Sequence, residues 1–203
     1  KCRYCHKPIS IQYPAVEALT SGLFGLSYLL LMPASTQQWM GYGVWLYILT
    51  SLIFLGVYDL KWFLLPDKIL LPAIGVSASW LVLQAVMEAS FSTVTPYFGS
   101  ALLAGGVFYA IAALSGGKWL GGGDIKLVFL MGLILGPAKT LLALLIAFNS
   151  AAVIGLALIG LKLKTRKDLI PFGPFLVAGT IIAYLLGGPV IEWYINLTGL
   201  GML

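Results

Sequence analysis

Two aspartates stand at the ends of long apolar runs, in positions that suit acid and base chemistry. Asp59 closes the apolar run that begins "SLIFLGVYD", and Asp124 opens the next one after "KWLGGG". An ionisable side chain at the border of a membrane segment is by default a candidate functional residue. Two carboxylates held close in a low-dielectric site do not both ionise easily, so one serves as base and the other as acid. The pair predicts aspartic-protease chemistry, in which an activated water attacks an amide carbonyl.

Three glycines, Gly121, Gly122 and Gly123, precede Asp124 directly. Residues without side chains allow a substrate backbone to approach the carboxylate, and they tolerate the torsions of a tight turn. The alternative is structural, because glycine-rich turns are common between membrane helices and a following acid can serve as the N-cap of the next helix. The pairing with Asp59 favours the substrate-approach interpretation.

Four of the other five acids, all except Asp67, give weaker signals. Asp168 lies in a loop with four cations, which predicts a solvated surface role, and Glu88 and Glu192 are expected near the membrane interface. Glu17 falls near the start of the first apolar run. An anchoring role and a site role remain open for it.

The elements that must position these residues are membrane helices. Of the 203 residues, 60% are hydrophobic and 9% are charged, against roughly 25% charged in soluble domains. Apolar runs of the length that crosses a bilayer predict an all-α, polytopic transmembrane bundle of seven or eight segments. The predicted spans are about 15–33, 42–58, 69–87, 98–114, 125–135, 138–161 and 172–187, with 189–203 as a last span or an interfacial helix.

The cations predict the orientation of the chain. If the amino terminus is cytoplasmic, eleven of the twelve basic residues fall on the cytoplasmic side and Lys139 is the exception, as expected when short cytoplasmic loops retain Lys and Arg. Asp59 and Asp124 then lie at the cytoplasmic edge. The net charge of +5 is explained by orientation and by affinity for anionic membrane lipids, so nucleic acid is not an expected partner.

Five stretches together resemble the type IV prepilin peptidases, polytopic aspartic endopeptidases of the bacterial inner or plasma membrane. "DLKWFLLPD" at 59–67 is similar to the first family motif, and "GGGDIK" at 121–126 is similar to the second, Gly-x-Gly-Asp-x-Lys, which marks GxGD-type proteases. "YPAVEALTSG" at 13–22, "KCRYC" at 1–5 and "PFGPFL" at 171–176 resemble three further family segments. The motifs occur in the family order over almost the whole chain.

The resemblance implies roles for particular residues. Asp59 and Asp124 would be the catalytic pair, and Asp67 is a rival of Asp59 whose neighbour Pro66 suggests a turn-and-cap role instead. Lys126 would either tune Asp124 electrostatically or extend to the lipid headgroups. Glu17 would help to hold substrate.

The resemblance also implies the partners. Such enzymes cleave the short basic leader of prepilins or pseudopilins on the cytoplasmic side of the membrane, next to a glycine, and many then methylate the new amino terminus with S-adenosylmethionine. Proteolysis itself is expected to need no cofactor. No sequence feature identifies a methyl-donor pocket, so methylation rests on the resemblance alone.

The amino-terminal residues predict half of a metal site. Family members carry a further helix and a further cysteine pair before this point, and Cys2 and Cys5 have the spacing of half a tetrahedral zinc site. Zinc is therefore expected only together with ligands from such a segment, and free thiols are the alternative. Residues 1–14 are expected to form a cytoplasmic segment and 15–203 a single membrane-embedded peptidase domain.

Two other classes of protein share parts of this pattern. A presenilin-like or signal-peptide-peptidase-like protease would share Tyr58–Asp59 and the glycine motif, but it would carry Pro-Ala-Leu near the carboxyl end, where this chain has "PFGPF". A proton- or cation-coupled transporter would place its acids near the middle of the membrane. Asp59 and Asp124 are predicted at its edge instead.

Overall fold

The computed structural model describes residues 10–117, 119–165 and 168–198, and these residues form six α-helices. All six are long and apolar enough to cross a membrane, which confirms the predicted all-helical membrane fold. The helices are α1 (Gln12–Leu31), α2 (Thr36–Trp62), α3 (Asp67–Met87), α4 (Thr95–Leu114), α5 (Gly122–Gly160) and α6 (Gly173–Thr198).

The chain divides into two compact units, the first ending at Leu46 and the second beginning at Tyr47. In the first unit, α1 packs against the start of α2 through hydroxyl groups and aromatic rings. The Tyr42 hydroxyl donates to the carbonyl of Phe24 at 3.2 Å. The rings of Tyr28, Trp39 and Tyr42 pack edge to face or tilted, with ring centroids 5.9–6.2 Å apart. All predicted site residues except Glu17, Cys2 and Cys5 belong to the second unit.

Helix α5 bends sharply at Gly136, whose backbone (φ 68, ψ −178) is not helical, and Pro137 follows it. The contacts of α4 show which way the chain goes. Along α4, its partners in the first half of α5 have decreasing residue numbers: Tyr97 lies against Gly136, Ala101 against Gly132 and Gly105 against Phe129. Its partners in the second half have increasing residue numbers, from Ser100 with Thr140 to Phe108 with Phe148.

The two halves of α5 are therefore antiparallel, and the chain makes a helical hairpin at this bend. Thr140 stabilises the turn, because its hydroxyl donates to the carbonyl of Gly136 at 2.6 Å and lies 3.5 Å from that of Met131. The sequence predicted separate spans at 125–135 and 138–161, and the structure confirms the break between them. The first half, 122–135, is about 21 Å long at 1.5 Å per residue, short for a hydrocarbon core of about 30 Å.

The carboxyl-terminal part differs from the prediction. Helix α6 continues through Pro189 to Thr198, so the predicted boundary at 187–189 is wrong. Proline removes one helical donor, but membrane helices tolerate it where neighbouring groups restore the backbone hydrogen bonds. Residues 199–203 lie outside the described part of the chain.

Small residues bring the helices of the second unit close together. A Cβ at Gly132 would collide with the backbone of Ala101 on α4, and a Cβ at Gly179 would collide with the carbonyl of Ala143 on α5. Such close approach is the usual way in which helices associate where apolar burial gives no driving force. These contacts join the first half of α5 to α4 and its second half to α6.

Candidate active site

Four helix ends meet at one end of the second unit. Three contacts join them: Asp59 near the end of α2 with Gly173 at the start of α6, Leu65 in the α2–α3 loop with Gly123 at the start of α5, and Asp67 at the start of α3 with Lys126 in the first turns of α5. Residues separated by as many as 114 positions in the sequence thus form one cluster.

Asp59 lies in the last turn of helix α2, three residues before its final residue, Trp62. The predicted span ended at 58, so the structure extends the helix past the acid. The side chain is buried, with 6% of the residue exposed. Its Oδ2 accepts a hydrogen bond from the backbone N–H of Gly173 at 3.1 Å. This bond partly offsets the cost of burying a carboxylate.

The exposed residues beside Asp59 are of the types found at a membrane interface. Lys61 and Trp62 are both exposed, and the Lys61 ammonium lies 4.4 Å from the centre of the Trp62 ring. The rings of Phe54, Tyr58 and Trp62 follow one another along the same face of α2. Tryptophan and lysine are typical of the bilayer interface, which agrees with Asp59 near the edge of the membrane.

Asp124 is the third residue of α5. The helix begins at Gly122 with Gly121 as its N-cap, so Asp124 is not the N-cap residue that the structural alternative expected. Its N–H donates to the carbonyl of Gly121 at 3.1 Å, and its carboxylate lies beside the backbone of the same glycine. The residue is partly exposed. Asp59 is close enough to act on it electrostatically, so the structure brings the two predicted acids together.

The three glycines before Asp124 have different surroundings. A Cβ at Gly123 would lie 2.8 Å from the Cβ of Leu65, whereas one at Gly122 would meet nothing within 4 Å. A Cβ at Gly121 would lie 3.5 Å from Oδ2 of Asp124. Gly123 is therefore explained by packing against the α2–α3 loop, Gly121 lies against the Asp124 carboxylate, and open space of the kind that substrate approach requires lies at Gly122.

Asp67 and Lys126 form an ion pair, with Nζ at 2.6 and 2.7 Å from the two carboxylate oxygens. Their side chains are 53% and 40% exposed. Asp67 is the first residue of α3, where a turn role was expected, but the N-cap is Pro66 and the carboxylate bonds to Lys126. This ion pair was not predicted, because nothing in the sequence joins two residues that are 59 positions apart.

The other predicted residues take no part in the contacts that join this cluster, or lie outside the described part of the chain. Glu17 is exposed on α1 in the first unit, and Glu88 and Glu192 are exposed on the second. Asp168 is exposed as expected, and the backbone N–H of Thr165, at 2.6 Å from its carboxylate, holds the pKa of Asp168 below its usual range.

Cys2 and Cys5 fall among residues 1–9, which lie outside the described part of the chain, so the predicted zinc half-site stays a prediction. Within the described ranges no group of three His, Cys, Asp or Glu side chains is arranged to hold a metal ion. Binding of the predicted methyl donor likewise stays a prediction without assigned residues.

Sequence reasoning missed Gly173 as part of the site. The stretch "PFGPFL" resembles a family segment, but nothing in it assigns a role to its glycine. The available signal was a glycine between two prolines at the start of an apolar run, which predicts a helix start. It does not predict which side chain that start contacts.

Comparison with known proteins identifies the chain's relatives. Residues 46–156 match the type IV leader peptidase family, and residues 1–31 match the bacterial peptidase A24 N-terminal domain. The prepilin leader peptidase/N-methyltransferase of Xanthomonas campestris pv. campestris is 32% identical over 98% of this chain and 68% of its own length. The proteins of the same name from Bacillus subtilis and Legionella pneumophila are 30% and 34% identical over 97% of this chain and 75% and 66% of their own lengths.

The chain spans about two thirds of the length of most of these relatives, and no solved structure matches it. The family match covers more than half of the chain, and it includes both acids, the α2–α3 loop and the glycines before Asp124. The resemblance predicted from the motifs is confirmed: the chain belongs to the type IV leader peptidase family.

Proposed function

We propose that this chain is a membrane aspartic endopeptidase that removes the leader of prepilins or pseudopilins, with Asp59 and Asp124 as its catalytic pair. The observation that carries the proposal is that these two acids lie in one cluster: Asp59 is near the end of α2, and Gly123, the residue before Asp124, packs against Leu65 of the loop that follows α2. The family match and the names of the relatives support the same activity. They do not favour the presenilin-like or transporter alternatives.

The chemistry needs one carboxylate and one carboxylic acid. The carboxylate takes a proton from water as the water oxygen attacks the carbonyl carbon of the scissile amide. The carboxylic acid donates its proton to the carbonyl oxygen, which gives a neutral tetrahedral diol. The proton taken from water then passes to the amide nitrogen as the C–N bond breaks, and a diol hydroxyl returns a proton to the second acid, which leaves a new carboxyl group and a new amino terminus. Asp59 is fixed by Gly173 and buried, whereas Asp124 is partly exposed beside open space at Gly122. The substrate backbone is proposed to enter on the Asp124 side.

The proposed site faces the cytoplasm of a bacterial inner or plasma membrane. Lys61, Lys68 and Lys126 lie near the same helix ends as the two acids, and short loops rich in cations stay cytoplasmic. A precursor still anchored in the membrane would present its basic leader on that side. Anionic lipid headgroups would also bind these cations.

Methylation of the new amino terminus is proposed as a second activity, because the relatives are named prepilin leader peptidase/N-methyltransferase. S-adenosylmethionine would supply the methyl group. Zinc bound by Cys2 and Cys5 with further ligands is proposed as a structural ion.

The test is cleavage of a membrane-inserted prepilin by the purified protein, read by mass spectrometry of the product. We expect Asp59→Asn and Asp124→Asn each to lower the cleavage rate at least about 100-fold, the lower end of what a general acid or base contributes. Asp67→Asn should cleave normally, because Asp67 is exposed and bonded to Lys126. Added S-adenosylmethionine should increase the product mass by one methyl group.

Normal cleavage by either of the first two variants would contradict the catalytic pair, and loss of cleavage in Asp67→Asn would move the first acid to position 67. Asp168→Asn is the matched control, since it makes the same change at an exposed acid of the α5–α6 loop. All variants should remain folded and inserted in the membrane.

A further inference from the structure

The start of α6 has one backbone donor that the helix itself does not use. The first N–H groups of a helix have no partner within it and need other acceptors. The N–H groups of Phe175 and Leu176 donate to the carbonyl of Phe172 at 3.1 and 3.2 Å, and Pro174 has no N–H. The N–H of Gly173 remains, and it donates to Oδ2 of Asp59 at 3.1 Å. One oxygen of the buried acid is thereby assigned a fixed partner.

Gly173 also leaves the space that the acid occupies. A Cβ at this position would lie 2.6 Å from Oδ2 of Asp59, closer than packed side chains allow, and 3.1 Å from its Cγ, tighter than most Cβ contacts. One turn earlier on α2, Gly56 lies against Val177 of α6, so the two helices are in close contact at both points. Any side chain at 173 would therefore displace the Asp59 carboxylate.

We propose that Gly173 is a positioning residue for Asp59: its N–H orients the carboxylate, and its missing side chain lets α6 begin directly against the acid. The proposal rests on the proposed function, in which Asp59 is catalytic. Displacing a reacting group by about 1 Å costs on the order of 100-fold in rate. Gly173 acts through the acid that it contacts, so the loss should appear in the turnover step.

The first experiment compares three glycine-to-alanine variants of α6 in the cleavage assay. Gly173→Ala should lower kcat by about 100-fold with KM changed less than about threefold. Gly188→Ala makes the same change where a Cβ would meet nothing within 4 Å, and it should cleave like the unmodified protein. Gly179→Ala collides with the carbonyl of Ala143, so it should lower the melting temperature while its folded fraction keeps a normal kcat.

This comparison separates a positioning role from a packing role. A kcat for Gly173→Ala equal to that of Gly188→Ala would overturn the proposal. A loss in Gly173→Ala that is matched by Gly179→Ala at equal folded fraction would overturn it too, because general packing would then explain both.

The second experiment measures the contact without using activity. The collision is with the Asp59 carboxylate, so Gly173→Ala should lower the melting temperature in the unmodified background and change it little in an Asp59→Ala background. Equal losses in both backgrounds, or failure of the double variant to fold, would overturn the proposal. If Gly173→Ala alone fails to fold and the double variant folds, the contact is supported.

The two experiments also separate this proposal from the proposed function. If the unmodified protein does not cleave a prepilin, the proposed function fails, and the melting comparison still decides whether Gly173 positions the Asp59 carboxylate.

Discussion

The two proposed catalytic acids have unlike surroundings, although they carry the same group. Asp59 is buried and bonded to a backbone N–H, whereas Asp124 is partly exposed in the first turn of α5. The positive end of a helix favours a negative charge at such a position. Carboxylates in unequal environments are the usual arrangement when one must act as acid and the other as base.

The ion pair of Asp67 and Lys126 is expected to contribute little to stability. Both side chains are about half exposed, and exposed pairs contribute about 0.2–1 kcal/mol. We expect Asp67→Asn and Lys126→Gln each to lower the free energy of unfolding by less than about 1 kcal/mol. The double variant should give a coupling energy in the same range, smaller at high salt.

The measurement is a denaturant titration of the four proteins in mixed micelles, at low and high ionic strength. A coupling energy above about 2 kcal/mol, or one insensitive to salt, would show that the pair is effectively buried. Cleavage by the double variant serves as a control that the site remains intact.

The sequence identified the two acids but not their supporting contacts. Asp59 and Asp124 stood out because a charged residue at the border of an apolar run has no simple packing explanation. Gly173, Leu65 and the partner of Lys126 could not be predicted, since each depends on which helix starts lie side by side. That arrangement is determined by long-range packing and leaves no local pattern.

At the level of helices, one predicted helix break is confirmed and another is wrong. Both predictions were made at a glycine followed by proline. Gly136 adopts φ 68 and ψ −178, a backbone region that is essentially restricted to glycine, and the chain reverses there. Gly188, which precedes Pro189, is not among the glycines with positive φ, and the helix continues through it. The Gly-Pro dipeptide alone does not predict whether the helix breaks, because the backbone torsions of the glycine decide whether the chain reverses.

Because the hairpin in α5 turns at Gly136, we expect this position to be sensitive to substitution. Alanine there would be forced into a glycine-only conformation, and its Cβ would lie 3.2 Å from a ring carbon of Tyr97. We expect Gly136→Ala to lower the free energy of unfolding by about 1–3 kcal/mol. The denaturant titration described for the ion pair measures this loss.

Gly106→Ala on α4 is the matched control, since a Cβ there would meet nothing within 4 Å and the residue has no positive φ. Alanine is also the better helix former by roughly 1 kcal/mol, so Gly106→Ala should be neutral or stabilising. Equal stability of the two variants would contradict the hairpin turn.

For the molecule as a whole, the arrangement of helices and the distribution of charge lead to the same topology. The end of α2 and the starts of α3, α5 and α6 meet in one cluster, as required if these segments alternate in direction and α5 makes two passes. Among the described residues, Lys61, Lys68, Lys126, Lys162 and Lys164 belong to the loops or helix ends on the side of this cluster, and Lys139 follows the α5 turn.

This topology predicts which loops an impermeant thiol reagent reaches from each side of the membrane. In a variant with Cys2 and Cys5 replaced by serine, single cysteines at exposed positions Leu64 and Leu169 should react only from the cytoplasmic side, because the neighbouring cations retain those loops there. Cysteines at Ala34 and Ser92, in loops without cations, should react only from the opposite side. Labelling is compared in intact cells and inverted vesicles, and each variant is checked for cleavage. The reverse pattern would place Asp59 and Asp124 on the outer face, where the leader of an anchored precursor does not reach them, and it would contradict the proposed cytoplasmic site.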